Sequence, residues 1–245
     1  MKEYTAITGA SSGIGKEYAK QLAKTKRNLI LISKSKVKLL EVKKELSKNK
    51  IDIKIIISDL SKEEEIKKLE GKLSKLNITQ LINSAGFGNP HMFHESDINV
   101  SKDMINIHVT ASTALSRAVI PNMISKKNAS IINVSSLAAY ARSSRSNAIY
   151  NSTKMYIIIF SKILQDEFKK KGYNIKVQAL CPGIVSTNFR NRKEYNKINK
   201  RIPRWLVMPS DAVVRWSLRK LNNNCVVCVP GNRYKIIYPF LKYFL

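Results

Sequence analysis

Tyr150 and Lys154 lie four residues apart at the end of SSLAAYARSSRSNAIYNSTK, the segment from Ser135 to Lys154. On a helix this spacing places both side chains on the same face. A tyrosine phenol has a pKa of about 10 in water, and a nearby ammonium lowers that pKa by stabilising the phenolate. The pair therefore indicates a phenol that can exchange a proton near neutral pH, provided that other elements bring a substrate to it.

A cluster of glycines lies near the start of the chain, in TGASSGIGK. Gly9, Gly13 and Gly15 fall where a short apolar strand turns into an amphipathic helix. The free N–H groups and the positive dipole of such a helix N-terminus can hold a pyrophosphate. The spacing is G-x3-G-x-G, and its place between a strand and a helix predicts a dinucleotide-binding site.

The end of the second strand, in LILISKSK, indicates which dinucleotide binds. An NAD site places an acidic residue there to bind the ribose 2′-hydroxyl. Ser33 and Lys34 occupy this position instead, and the run contains no acid. A cation attracts a 2′-phosphate, and Lys16 after the glycine turn adds a second positive charge. The sequence therefore predicts NADP(H) in preference to NAD(H).

Short β-branched runs alternate with longer amphipathic runs along the chain. Strands are expected at YTAIT, NLILIS, IKIIIS, ITQLINSAG, ASIINVSS, NIKVQALCPG and CVVCVP. Helices are expected over 13–26, 36–49, 61–76, 100–126, 147–171 and 210–222, the third with a capping box from Ser61 and Glu64. Strands that are apolar on both faces and alternate with helices predict an α/β fold, a doubly wound parallel sheet in a single domain over 1–245.

Two segments do not follow this alternation. Residues 188–208 form a long insert after a strand, and such inserts more often carry function than structure. Together with residues 87–99, this insert is expected to shape the substrate site. The tail at about 234–245, YKIIYPFLKYFL, is aromatic and aliphatic. It is interpreted as a substrate lid, an oligomer contact or an interfacial membrane anchor.

The chain is strongly basic, with 44 Lys and Arg against 17 Asp and Glu and a net charge of +27 over 245 residues. A basic face would bind nucleic acid or anionic lipid. The lysines, however, are spread through the expected helices without interleaved aromatics, as on a solvated surface. We therefore expect no nucleic-acid partner, and treat peripheral membrane contact as a minority hypothesis.

The chain has three cysteines, of which Cys225 and Cys228 lie in a strand-like run where residues three apart point to opposite faces. They are interpreted as buried thiols of a reducing compartment. His91 and His94 lack a third ligand at a suitable spacing, so no metal site is expected. No apolar run reaches the roughly 18 residues that span a bilayer. The expected location is cytoplasmic.

Several short motifs occur in one order along almost the whole chain: TGASSGIG, SDL at 58–60, NSAG at 83–86, INVSS, YNSTK at 150–154 and CPGIVST at 181–187. In this order they resemble the short-chain dehydrogenase/reductase family. The resemblance is closest to the NADPH-linked 3-ketoacyl-CoA reductases and hydroxysteroid dehydrogenase-like members. It implies a Rossmann-type sheet of seven parallel strands.

The resemblance also implies a role for each matching residue. Ser136 would bind the substrate oxygen, Tyr150 would be the general acid/base, Lys154 would bind the ribose, and Asn106 would hold a water in a proton relay. The cofactor would be bound by Gly9, Ser11, Ser12, Gly13, Ile14, Gly15, Ser33, Lys34, Asp59, Leu60, Asn83, Ala85, Gly86, Tyr150, Lys154, Pro182, Gly183 and Thr187.

This sequence departs from the family pattern in two places. Ser136 and Tyr150 are fourteen residues apart, one more than is usual. The extra residue is expected to bulge the loop ARSSRS, which carries Arg142 and Arg145, and Ser135 is the alternative serine for binding the substrate. NSAG also stands where Asn-Asn-Ala-Gly is commoner.

The predicted function is transfer of a hydride between NADP(H) and a small-molecule carbonyl or secondary alcohol, in an apolar ketone or a 3-oxoacyl substrate. The alternative is a non-catalytic NADP-binding protein that acts in regulation or at a membrane surface. The apolar face of MYIIIFSKIL, at 155–164, and the family resemblance favour a homodimer or homotetramer.

Overall fold

A computed structural model describes residues 2–140, 148–187 and 203–236. The predicted bulge in the loop ARSSRS at 141–146, residues 188–202 of the insert and residues 237–245 of the tail lie outside the described residues.

The described strands are β1 (Tyr4–Thr8), β2 (Asn28–Ser33), β3 (Ile53–Ile57), β4 (Ile78–Asn83), β5 (Ala129–Val134), β6 (Ile175–Leu180), β7 (Val185–Ser186), β8 (Met208–Pro209) and β9 (Val227–Cys228). The described α-helices are α1 (Gly13–Lys24), α2 (Lys36–Leu46), α3 (Glu63–Leu73), α4 (Ile98–Ile105), α5 (Ala111–Met123), α6 (Ala148–Lys170) and α7 (Ser210–Asn222). A π-helical turn (Asn106–Thr110) joins α4 to α5.

Seven of the strands form one parallel sheet in the order β3-β2-β1-β4-β5-β6-β9, and β7 pairs with β8 separately. The order reverses at β1, where β4 lies on the side opposite β2. This is the predicted Rossmann-type, doubly wound sheet in a single domain, and the prediction is confirmed.

Buried apolar side chains cover both faces of the sheet. One cluster includes Tyr18 of α1, Leu39 of α2 and Val213 of α7, and the other includes Leu69 of α3 and Leu115 of α5. Removing this area from water supplies the main driving force for the fold. Helices on both faces also explain why the strand sequences are apolar throughout rather than alternating.

Two predicted helical features are absent from the described residues: the capping box before α3 and an uninterrupted helix over 100–126. Helix α3 begins at Glu63, and its N-cap residue is Lys62, without a side-chain cap. The predicted capping box does not form, because Ser61 lies one residue before the N-cap and its backbone N–H donates instead to Asp59 Oδ1 (3.1 Å). The helix predicted over 100–126 is interrupted by the π-turn, which contains one residue more per turn than an α-helix.

Candidate active site

The carboxyl ends of the parallel strands meet at one edge of the sheet, and the predicted site residues come directly after these ends. In open α/β sheets, ligands bind at this edge where the strand order reverses. The order reverses between β1 and β4, so the glycine turn after β1 and the NSAG loop after β4 lie side by side.

The glycine turn is shaped for a close backbone approach. Gly9 has a φ of +66°, a conformation that favours glycine. A Cβ at Gly9 would lie 2.9 Å from the Cα and N of Ala85. Thr8 Oγ1 accepts hydrogen bonds from the N–H groups of Ser84 (3.0 Å) and Ala85 (3.1 Å). These contacts hold the two loops together beside the N-terminus of α1.

The first turn of α1 leaves room for an anion. Ser12 is its N-cap residue and makes no side-chain cap, while Ile14 packs against the core. A Cβ at Gly13 would lie 3.5 Å from the Thr187 side chain, so Thr187 faces this helix end from the other side of the cleft. Backbone N–H groups and a positive dipole at this end are suited to a pyrophosphate.

The end of β2 presents Ser33 and Lys34. Ser33 Oγ lies 2.9 Å from Ser11 Oγ, which joins the strand end to the glycine turn. The Lys34 ammonium is exposed and lies 3.8 Å from an Asp59 carboxylate oxygen. Lys16 and Lys20 lie on α1 and both pair with Glu45, at 2.9 Å and 2.8 Å. Lys34 lies at the strand end itself, so it carries the argument for a 2′-phosphate.

Asp59 and Leu60 come after β3, on the far side of the same cleft. Burial raises the pKa of the Asp59 carboxyl, but hydrogen bonds from Ser61 and the nearby Lys34 and Lys62 outweigh burial and hold the pKa below its usual value. Asp59 is therefore an anionic hydrogen-bond acceptor at neutral pH, and Leu60 is buried beside it.

Asn83 does not extend its side chain into the cleft. Its Nδ2 donates to Asn133 Oδ1 (2.8 Å) and lies 3.3 Å from Ser116 Oγ, within the protein interior. Asn133 in turn donates to Ser161 Oγ at 3.0 Å. The Asn83 side chain therefore lies in the space between β4, α5 and α6, and the prediction that Asn83 lines the cofactor stays a prediction for its backbone at the strand end. Ala85 and Gly86 lie beyond the strand and border the cleft.

Tyr150 and Lys154 lie in the first two turns of α6, as predicted. The Lys154 ammonium lies 5.7 Å from the centroid of the Tyr150 ring. It donates to the carbonyl oxygen of Val134 at the end of β5 (3.0 Å) and is almost completely buried. Burial lowers the pKa of Lys154 to about 8, so its charge is retained at neutral pH and is only weakly screened by water.

The structure distinguishes Ser135 from Ser136. Ser135 is buried, and its hydroxyl donates to the carbonyl oxygen of Lys154 at 2.6 Å. Ser136 is half-buried, and its Oγ accepts the N–H of Ala138 at 3.1 Å, which leaves its own O–H to donate. Ser136 is therefore the serine suited to a substrate oxygen, whereas Ser135 fixes the position of α6.

The loop after β6 carries Pro182 and Gly183. The Pro182 carbonyl accepts the N–H of Leu137 at 2.9 Å, which links this loop to the serine turn. Tyr234 covers Gly183 so closely that a Cβ there would overlap its ring. The Tyr234 hydroxyl donates to the Leu206 carbonyl (2.5 Å) and accepts the Ile184 N–H (2.8 Å). Tyr234 therefore connects the loop to both flanking segments, a role that the sequence did not indicate.

Asn106 does not join the group around Tyr150. Its Nδ2 donates to the Ser61 carbonyl (2.9 Å), and its Oδ1 lies 3.5 Å from the Thr110 hydroxyl. The Asn106 side chain thus bonds to the segment before α3, at the start of the π-turn, and the prediction that Asn106 holds a water in a proton relay stays a prediction. His108, two residues later, is the side chain that lies beside Tyr150, with ring centroids 5.8 Å apart. The only sequence signal for it was a histidine within an otherwise small and apolar helix face.

A Rossmann-type sheet, a glycine turn suited to a pyrophosphate, a serine after β5, and a tyrosine and a buried lysine on α6 together define the class of nicotinamide-dependent oxidoreductases. The chain belongs to the short-chain dehydrogenase family, whose model matches residues 3–197.

Similar proteins agree with this assignment. The very-long-chain 3-oxoacyl-CoA reductase of Bos taurus is 33% identical over 198 residues, which cover 79% of this chain. The match spans 62% of the bovine protein, less than two thirds of its length.

Solved structures match over more of the chain. A short-chain dehydrogenase from Sphingobium yanoikuyae in complex with NADPH has a TM-score of 0.86 at 27% identity, over 97% of this chain and 92% of its own. The bulky-bulky ketone specific alcohol dehydrogenase from Comamonas testosteroni has a TM-score of 0.82 at 27% identity, over 97% and 90%. Within the described residues, no helix has the length and apolarity needed to cross a membrane.

Proposed function

We propose that this protein is an NADP(H)-dependent carbonyl reductase that acts on an apolar ketone or a 3-oxoacyl thioester. The observation that carries the proposal is the buried Lys154 ammonium beside the Tyr150 ring, on one helix face, next to the serine turn that carries Ser136. A protein that only binds a dinucleotide has no use for a phenol whose proton is mobilised in this way.

Tyr150 donates its proton to the substrate carbonyl oxygen, and Ser136 polarises the same oxygen through its O–H. The Lys154 charge stabilises the phenolate that remains, because an ammonium in a poorly solvated site interacts strongly with a neighbouring anion. The nicotinamide supplies the hydride when it is bound. Positioned proton transfer of this kind contributes roughly 10²–10⁴ to the rate.

The end of β2 supports NADP(H) over NAD(H). An exposed lysine and two serines stand there in place of the acid that a ribose 2′-hydroxyl requires. The Sphingobium protein, similar over 97% of this chain, binds NADPH.

The substrate class is supported by the relatives and by the apolar residues near the site. The bovine relative is a 3-oxoacyl-CoA reductase, and the Comamonas relative is specific for bulky ketones. In this chain the apolar Phe87 ring packs against His108, which lies beside the Tyr150 ring. A hydrophobic ketone gains binding energy from such a surface.

A homo-oligomer and a cytoplasmic location belong to the same proposal. The outer face of α6 exposes Tyr156, Ile159 and Ile163, an apolar row that a second copy of this chain would cover. The three cysteines are free thiols, as is usual in a reducing compartment.

The proposal is tested by NADPH oxidation, followed by absorbance, with ketones, 3-oxoacyl thioesters and steroids as substrates. We expect turnover with at least one apolar member of this panel, and lower kcat/KM with NADH. Binding of NADPH without turnover of any member would favour the non-catalytic alternative.

Tyr150→Phe tests the assigned acid directly. We expect kcat to fall by roughly 10²–10⁴, because the proton donor is lost, while the Kd for NADPH changes little. Tyr156→Phe is the matched control, since Tyr156 lies on the same helix and its hydroxyl contacts Thr113 on the outer face (2.8 Å). Turnover of Tyr150→Phe at the wild-type rate would contradict the mechanism.

A further inference from the structure

His108 is a buried polar side chain that the predicted mechanism does not use. It lies in the π-turn between α4 and α5 and is 1% exposed. Its Nε2 and Asn83 Oδ1 are the only buried side-chain polar atoms among the described residues that lack a hydrogen-bond partner. Leaving such an atom unpaired is costly in a protein interior, so each instance requires an explanation.

The hydrogen bonds around His108 define its tautomer. Thr153 Oγ1 lies 2.9 Å from His108 Nδ1 and also donates to the Tyr150 carbonyl at 2.9 Å. A hydroxyl has one proton, which the carbonyl takes, so Thr153 must accept from Nδ1–H. A neutral imidazole carries one N–H, so Nε2 presents a lone pair.

This lone pair lies near Lys154. A Cβ at Gly86 would lie 2.7 Å from His108 Nε2 and 3.5 Å from Lys154 Nζ, so the two nitrogens border the same small space. The titratable groups that the described residues place against the imidazole are Tyr150 and Lys154 of α6, and the loop after β4 contributes Gly86 and the Phe87 ring.

The surroundings keep the imidazole neutral. Burial lowers the pKa of His108 well below its usual value, and the charge of Lys154 lowers this pKa further. An uncharged acceptor next to an ammonium stabilises the charged lysine, whereas an imidazolium would repel it.

We propose that His108 is a positioning residue for Lys154, whose ammonium is hydrogen-bonded to His108 Nε2 through one water molecule. This contact holds Lys154 charged and directed at Tyr150, and it gives the lysine a second acceptor besides the Val134 carbonyl. The inference rests on the proposed function for its effect on turnover, but the tautomer and the contact are independent of any substrate.

The tautomer is tested by ¹⁵N NMR of the histidine rings in the wild-type protein. The chain has only three histidines, and His91 and His94 are exposed, so the spectrum of His108→Gln identifies the His108 signals by their loss. We expect Nδ1 to carry the proton and Nε2 to remain bare across neutral pH. A protonated Nε2 would overturn the proposal, whether or not any substrate is turned over.

The contact is tested with a matched pair of variants. Leu removes both ring nitrogens at a similar volume, whereas the amide of Gln reaches the position of Nε2 and restores an acceptor there. We expect His108→Leu to lower kcat about 10- to 100-fold with little change in the Kd for NADPH, and His108→Gln to recover most of this loss.

The pH profile separates a positioning role from a purely structural one. Loss of the acceptor lowers the pKa of Lys154, so the alkaline decline in activity of His108→Leu moves to lower pH and that of His108→Gln returns toward the wild type. Equal losses in both variants with an unchanged profile would overturn the proposal. An absence of turnover in the wild type would instead contradict the proposed function, and the NMR result would still decide the tautomer.

Discussion

Lys154 shows at the scale of one residue how the fold creates reactivity. The sequence places a lysine one helical turn after a tyrosine, but only burial makes its charge effective. The ammonium is 6% exposed and donates to a backbone carbonyl, so its field reaches Tyr150 with little screening. The same burial brings its pKa down to about 8, close to the working pH of a proton-transfer site.

The lowered pKa of Lys154 predicts how stability depends on pH. The unfolded chain keeps this lysine protonated up to about pH 10.5, whereas the folded chain releases the proton above about pH 8. Between these values the unfolded state binds more protons, so stability rises with pH. Relative to Lys154→Met, the cofactor-free wild type should gain up to about 3 kcal/mol of unfolding free energy across this window.

Urea unfolding of both proteins at a series of pH values measures this gain. The difference between them isolates one lysine, because every other titrating group is common to both. Parallel pH dependences for the wild type and Lys154→Met would show that the lysine titrates normally in the folded protein.

At the scale of the elements, the site includes the segments that follow six parallel strands. The glycine turn follows β1, Lys34 follows β2, Asp59 follows β3, Gly86 follows β4, Ser136 follows β5 and Pro182 follows β6. Because the strands are parallel, all six segments lie on the same edge of the sheet. The sheet sets the distance between neighbouring segments. Because the backbone at each strand end is already ordered by the fold, binding a ligand there costs little further conformational entropy.

Lys34 is the strand-end residue that is expected to select the cofactor. Lys34→Glu places a negative charge where a 2′-phosphate would bind and where an NAD site carries an acid. We expect kcat/KM with NADPH to fall about 10- to 100-fold and the ratio of NADH to NADPH activity to rise.

Lys43→Glu is the control for this change. It makes the same change of charge at an exposed position of α2 that is nine residues after Lys34 in the chain. Steady-state kinetics with both cofactors compare the variants. Equal effects of the two substitutions would show that overall charge, rather than Lys34, governs the preference.

At the scale of the whole molecule, the exposed apolar face of α6 is the surface proposed to bind a second copy of this chain. Tyr156 stacks on Phe160 with an interplanar angle of 8°, and Ile159 and Ile163 continue the row, with Ile163 54% exposed. The other face of the same helix carries the catalytic lysine. An interface on α6 would therefore stabilise the element that positions the site.

Ile163→Glu is expected to shift the protein from an oligomer to a monomer, because a carboxylate cannot be buried unpaired at an apolar interface. Light scattering at micromolar concentration measures the change. Val37→Glu is the control, since Val37 is an exposed apolar residue on α2. Both variants are expected to fold. A wild-type protein that is a monomer under these conditions would refute the proposed oligomer.

The sequence by itself determined the alternation of strands and helices, the parallel sheet, the glycine turn and the Tyr150–Lys154 pair, because each depends on local spacing and on residue type. The tertiary structure decided which side chains reach the site. The side chains of Asn83 and Asn106 bond within the protein, Lys16 shares Glu45 with Lys20, and the Ser135 hydroxyl donates to a carbonyl of α6. His108 and Tyr234 enter through contacts between segments far apart in the chain, which no local pattern encodes.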